Sequence, residues 1–154
     1  RDSKVRIKFN PVRGVLNGKR VVVVEDSIVR GTTFRNIARL LRNAGAKEIH
    51  LRVSSPPIIS PCFYGMDFPT REELLASSRS VEDIRQYMGV DTLRYLSLEG
   101  LLKSVPNGEN SYCYACFSGN YPTKIPCDLQ KSCLEVATSN SHIIDALSLR
   151  YDND

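Results

Sequence analysis

The chain has 154 residues, 42% of them hydrophobic and 25% charged, with a net charge of +4 at neutral pH. That is enough chain for one domain with its own core, and the composition is ordinary for a globular protein. No apolar run approaches the roughly 20 residues of a membrane helix, and the scattered basic residues argue for an anionic small ligand, not for nucleic acid.

The chain opens on Arg1, with nothing like a signal or transit peptide ahead of its first strand, and the expectation is a fragment. Residues 1–17 read as a flexible basic arm, in which Val5 and Ile7 alternate with charged neighbours and Asn10-Pro11 favours a turn. Val21 to Val24 form a continuous β-branched run, the pattern of a strand buried on both faces. Residues 25–31 make a loop. From Thr32 the spacing of Phe34, Ile37, Leu40, Leu41 and Ala44 predicts a helix with Gly45 as its C-cap, and Ile49, Leu51 and Val53 alternate as the next strand. Strand, loop, helix and strand make a βαβ unit, with a right-handed crossover.

Farther on, Thr70 with Glu73 and Ser80 with Asp83 have the spacing of capping boxes, predicting helices over 71–77 and 81–88, the latter closed by Gly89. A short strand is expected over 93–96 and a small helix over 98–104. After Pro106-Asn107-Gly108 the character changes to a cysteine-bearing loop segment, 106–127, and the tail, 128–154, has room for one helix at 142–149. Residues 18–105 then form the α/β core: a parallel sheet with flanking helices.

Chemistry concentrates where the first strand ends. Ligands of open α/β sheets bind outside the carboxyl ends of the strands, which places Glu25 to Thr33 at the mouth of a site. Ser27, Ile28, Val29, Arg30, Gly31, Thr32 and Thr33 can turn backbone N–H groups inward and end at a helix N-terminus, where an anion is favoured. Gly31 supplies the unusual dihedral; such a nest suits a phosphate monoester. Glu25 and Asp26 make sense there if they accept sugar hydroxyls or hold Mg²⁺. The bland alternative is that they cap the helix. Arg30 fits phosphate neutralisation and solvent exposure equally well, and His50 on the second strand reads as structural.

Five cysteines, at 62, 113, 116, 127 and 133, are an odd number without a secretion signal, which disfavours a disulfide framework. Cys113-Tyr-Ala-Cys116 lets two thiolates meet one metal, but a redox pair or half a zinc site would look the same.

Strand, two acids, small polar loop and Gly31-Thr32-Thr33 together resemble the signature of type I phosphoribosyltransferases, which bind phosphoribosyl pyrophosphate. The resemblance implies that residues 27–33 take the 5′-phosphate while Glu25 and Asp26 take the ribose hydroxyls and the Mg²⁺ shell. A longer stretch, KFNPVRGVLNGKRVVVVEDSIVRGTTFRNIARLLRNAGAKEIHLRVSSPPIISPCFYGMD, is similar to the C-terminal half of glutamine phosphoribosyl pyrophosphate amidotransferases, as are SVEDIRQYMGVDTLRYLSLEGLLKSV and CYACFSGNYP. Some members of that family carry a [4Fe–4S] cluster on four cysteines. Three of these match Cys62, Cys113 and Cys116, and the fourth lies upstream of the phosphoribosyl motif. Cys127 and Cys133 read as free thiols; Tyr112, Tyr114 and Phe117 read as packing around the cluster.

By the same resemblance, the intact enzyme would deliver glutamine-derived ammonia to C1 of phosphoribosyl pyrophosphate, giving 5-phosphoribosylamine in the first step of purine synthesis, under inhibition by purine nucleotides. It would be a homo-oligomer of the cytoplasm, or of the plastid stroma in a plant. No residue here would do acid–base catalysis: the sheet is truncated at its N-terminal side, the role is substrate positioning, and these residues alone are expected to be inactive. Lys8, Asn10 and Arg13 resemble the family's flexible loop, or form a solvated arm. A purine-salvage phosphoribosyltransferase, a non-enzymatic phosphoribosyl pyrophosphate sensor and a small zinc-binding interaction module remain as alternatives.

Overall fold

The structure, a computed structural model, describes residues 10–67 and 70–125. The expectations for Val5, Ile7, Lys8, Cys127, Cys133 and the 142–149 helix lie outside the described residues. The chain divides into two units, Arg1–Pro122 and Thr123–Asp154, and every element below lies in the first.

A single helical turn, α1 (Arg13–Leu16), stands within the segment expected to be an arm. The sheet follows: β1 (Arg20–Glu25), β2 (Glu48–Val53) and β3 (Thr92–Tyr95), parallel and in the order β1-β2-β3. Its register aligns Val23 with Leu51 and Leu93, and Glu25 with Val53 and Tyr95. The crossover helices are α2 (Thr32–Asn43) and α3 (Val81–Met88). Both pack on one sheet face, where Phe34, Ala38, Ile84 and Met88 join Ile49, Leu51, Val53 and Leu93 in one core cluster. Each of the larger apolar side chains contributes about 1.5–3 kcal/mol by leaving water.

The register explains a departure from expectation. β1 is not buried on both faces: Val22 is 62% exposed and Val24 70%. It is an edge strand of the described sheet, and the helices cover only the face of Val21 and Val23. On the opposite face β2 and β3 carry a polar ladder. Arg20 Nε donates to Glu48 Oε2 at 2.7 Å. The His50 ring lies 2.9 Å from both Glu48 Oε2 and Thr92 Oγ1, and Arg52 Nη1 donates to the same Thr92 oxygen at 2.9 Å. His50 is thus structural, as expected; the bond from Arg20 holds the Glu48 carboxyl below its ordinary range.

Two other expectations shift. The inward stripe of α2 is Phe34 and Ala38, with half-buried Leu41 packed against the cluster; Ile37 and Leu40, equally half-buried, stand outside it. The 71–77 helix is instead two 3₁₀ turns, Arg71–Glu73 and Leu75–Ser77, broken at Leu74, whose backbone is extended and whose side chain is buried. The box residues Thr70 and Glu73 are nevertheless in place, and Ser80 with Asp83 starts α3, which Gly89 closes in the left-handed region. Then come α4 (Leu98–Lys103) and, within the expected cysteine-bearing loop, two short turns, α5 (Gly108–Ser111) and α6 (Ala115–Ser118).

Candidate functional site

The carboxyl end of β1 delivers Glu25 and Asp26 to the edge of the sheet. Ser54, just past β2, ties that edge together: its N–H donates to Glu25 O at 2.9 Å and its hydroxyl to the same oxygen at 3.2 Å. Asp26 is exposed and accepts from Ser27 Oγ at 3.0 Å. Glu25 is half-buried, and that burial, with the charge of Asp26 beside it, pushes its carboxyl above the ordinary range. A bound cation would relieve both effects.

The loop then turns at Gly31, which caps α2 with φ +71°. A Cβ there would lie 2.6 Å from Met88 Cε and 2.7 Å from Leu75 Cδ2, so the tips of both side chains would have to shift, and the dihedral itself favours glycine. No side chain caps the N-terminus of α2, and no acid stands in its first turn. Glu25 and Asp26 therefore do not serve as its caps, and the first helical amides keep their capacity for an anion. The Thr32 and Thr33 hydroxyls stand on exposed residues beside them.

The remaining loop residues divide by role. Ile28 is 4% exposed and belongs to the core, so only its backbone can face a ligand. Val29 O accepts from Leu75 N at 2.9 Å, docking the loop on the second 3₁₀ turn. Arg30 Nη2 lies 3.0 Å from Glu73 Oε1. Sequence reasoning overlooked that partner, as well as two hydroxyls at the same end of the sheet. Ser55 Oγ and Tyr95 Oη are buried without a protein hydrogen-bond partner, and burial pushes the Tyr95 phenol up to about 12.

The cysteines lie in a separate region built from two distant segments. Cys116 O accepts from Ile59 N at 3.0 Å and Ser60 N at 3.1 Å, docking α6 on residues 58–61. Tyr121 Oη donates to Pro61 O at 2.7 Å, and its ring lies 5.1 Å from Phe63 and 6.2 Å from Tyr64. Cys62 Sγ accepts from Tyr64 N at 3.4 Å. Burial, then the charge of Cys62 and, more weakly, that of Cys113, push the Cys116 thiol up. Among the described residues no three His, Cys, Asp or Glu side chains are arranged to hold a metal ion. The ring contacts come from Phe63, Tyr64 and Tyr121, whereas Tyr112 is exposed. A cavity of about 490 Å³ opens beside Cys113, between Tyr112, Asn120 and Tyr121.

Residues 3–55 match the family described as the phosphoribosyl transferase domain. The chain is 58% identical over 124 residues to amidophosphoribosyltransferase 2, chloroplastic, of Arabidopsis thaliana, covering 80% of this chain and 22% of that protein. It is 58% identical over 129 residues to the amidophosphoribosyltransferase of Bacillus subtilis, covering 81% and 27%. It thus spans about a quarter of the length of these curated relatives. Among solved structures, the allosteric regulatory enzyme of purine biosynthesis superposes with a TM-score of 0.68 at 58% identity, over 76% of this chain and 26% of that one. The B. subtilis glutamine phosphoribosylpyrophosphate amidotransferase, complexed with ADP and GMP, gives 0.68 at 53% identity, over 82% and 30%. The parallel sheet with its helices is a phosphoribosyltransferase-type fold.

Proposed function

We propose that this chain is the phosphoribosyltransferase portion of an amidophosphoribosyltransferase and forms the phosphoribosyl pyrophosphate site of that enzyme. The observation that carries the reading is the end of β1, where two carboxylates stand beside an uncapped helix N-terminus. A phosphate with a diol a few ångströms away satisfies both halves at once. Backbone amides of 27–33, with Thr32 and Thr33, hold the 5′-phosphate. Glu25 and Asp26 accept the ribose hydroxyls, which fixes C1 relative to the incoming ammonia.

Glu25 and Asp26 are hard oxygen donors suited to Mg²⁺, and the raised Glu25 carboxyl fits a site whose charge a cation completes. When bound, the metal would supply charge stabilisation for the departing pyrophosphate. This chain's own residues bind and orient. In the whole enzyme, ammonia released from glutamine would displace pyrophosphate from C1, giving 5-phosphoribosylamine. Purine nucleotides carry the same 5′-phosphate, and we infer that they compete for this loop.

For a [4Fe–4S] cluster the fit is partial. Cys62, Cys113 and Cys116 have the right donor atom, but among the described residues no three such side chains are arranged to hold a metal ion, and a cluster takes four thiolates. We place the protein in the cytoplasm, or in the plastid stroma of a plant, as a homo-oligomer; no helix among the described residues is long and apolar enough to cross a membrane.

Calorimetric titration of this chain with ribose 5-phosphate in the presence of Mg²⁺ tests the site. One-to-one binding that disappears in a Glu25→Gln, Asp26→Asn double variant is expected; equal affinity in the variant would refute the assignment. The longer protein should form phosphoribosylamine from glutamine, and the 154 residues alone should not.

A further inference from the structure

Arg30 is the single basic residue between Glu25 and Thr33, in a loop read as an anion site. Yet its guanidinium is already engaged: Nη2 lies 3.0 Å from Glu73 Oε1, with the two side chains 43% and 48% exposed. Glu73 is not a loosely held surface acid. Its other oxygen, Oε2, accepts from Thr70 N at 3.3 Å, which fixes the carboxylate on its 3₁₀ turn. That segment in turn is fastened to the loop one residue before Arg30 by the bond from Leu75 N to Val29 O. Leu75 and Met88 fill the space over Gly31, so the segment packs against the start of α2. Arg35, the next cation along, sits over the Tyr87 ring at 4.8 Å, where Arg79 also lies at 5.2 Å.

We propose that Glu73 is a built-in counter-ion that withholds Arg30 from a bound phosphate monoester, so that ligand and Glu73 compete for one guanidinium. The inference rests on the reading of the loop as a phosphate site. Paired with Glu73, Arg30 adds little net charge to a loop that already holds two carboxylates, and recognition falls to the backbone amides. The affinity of such a site is tuned by an acid 43 residues farther along the chain. The pair is exposed, so its competition is screened by salt.

The test is titration of this chain with ribose 5-phosphate in Mg²⁺, for the parent, Glu73→Gln, Arg30→Gln and the double variant, at low and at about 0.3 M salt, where the Debye length falls to roughly 6 Å. The amide introduced by Glu73→Gln keeps an oxygen for Thr70 N–H and so preserves the turn. Glu73→Gln should tighten binding about two- to five-fold at low salt, the scale of an exposed ion pair, and the gain should shrink at high salt. Made on the Arg30→Gln chain, the same change should give no gain. A gain that persists without Arg30 would mean simple removal of a repelling charge and would overturn the proposal. So would unchanged or weaker binding by Glu73→Gln while the parent binds. Absence of binding in the parent would refute the loop reading itself, and this inference with it.

Discussion

The strand-end loop and the cysteine region are the two chemically loaded parts of this fold, and they are built in opposite ways. The loop is contiguous: nine residues, 25–33, from the last residue of a strand to the first turn of the helix it leads into. One glycine dihedral sets its shape, and the core holds it through Ile28. The cysteine region joins residues 58–64 to 113–121 through three backbone-carbonyl bonds and one aromatic group. The loop's geometry is therefore part of the fold's own stability, whereas the sulfur neighbourhood depends on a docking event that can open locally.

The sharpest way to break this contrast is at Gly31. Replacing it by Ala forces a non-glycine residue to φ +71° and drives a Cβ against Met88 and Leu75. The left-handed cost, with a small addition for shifting the Met88 and Leu75 tips, should destabilise the chain by about 1–2 kcal/mol. Thermal unfolding followed by circular dichroism reads this directly. If the loop is as coupled to the core as Ile28 implies, the whole domain melts early and phosphate binding falls with it; an unchanged melting temperature would show that loop and core are separable.

The acidic pair should trade function against stability. Asp26→Asn or Glu25→Gln alone should weaken Mg²⁺-dependent ribose 5-phosphate binding about 10- to 100-fold, the worth of one lost charged hydrogen-bond partner. Glu25→Gln should also raise stability at neutral pH, by at most about 1 kcal/mol. The sign follows from burial: the folded carboxyl titrates above its ordinary value, so the native state holds the proton longer than the unfolded one. Glu25 therefore costs stability once pH rises through its folded pKa. Metal affinity should run the other way, falling as pH drops into the range just above that of an ordinary Glu. A Glu25→Gln chain that melts lower than the parent at pH 7 would contradict this account.

What could be read in advance follows the same divide. β1, the loop, α2 and β2 are local patterns, and Gly31 and both carboxylates were placed from spacing alone. The bare outer face of β1 was not legible, because a run of four valines looks the same whether one face or both are covered. Nor was the Arg30–Glu73 pair, since its partners are 43 residues apart and are joined through tertiary docking, in which Leu75 N–H donates to Val29 O. The grouping of Cys62 with Cys113 and Cys116 came from family resemblance alone; no periodicity links segments so far apart in the chain, and the Tyr121 contact was missed for the same reason.

In the cysteine region the expected effects are smaller and should stay local. Cys116→Ser should cost about 1 kcal/mol, the central value for a single substitution, and leave ribose 5-phosphate affinity unmoved. With iodoacetamide at about pH 8, exposed Cys113 should react at least about 10-fold faster than half-buried Cys116, whose thiol is pushed up and so yields less thiolate. Mass spectrometry after brief labelling separates the two sites. Iron and sulfide near about four each in longer protein purified without oxygen would support the cluster, and zinc would overturn it.

Tyr121→Phe is the finest probe of the comparison. The change keeps the ring against Phe63 and Tyr64 and removes only the bond from Tyr121 Oη to Pro61 O. The loss should be about 0.5–1.5 kcal/mol, the net worth of one such bond. Where that loss appears matters more than its size. Pro61 precedes Cys62, so loosening the bond frees the segment that carries the first sulfur while leaving β1 and α2 untouched. Amide exchange at Ile59 and Ser60, whose N–H groups donate to Cys116 O, should accelerate several-fold, and exchange in Ile49 and Leu51 should not. Equal acceleration at both places would mean that the cysteine region opens only with the whole domain, and the distinction between a site built into the fold and a site docked upon it would fail.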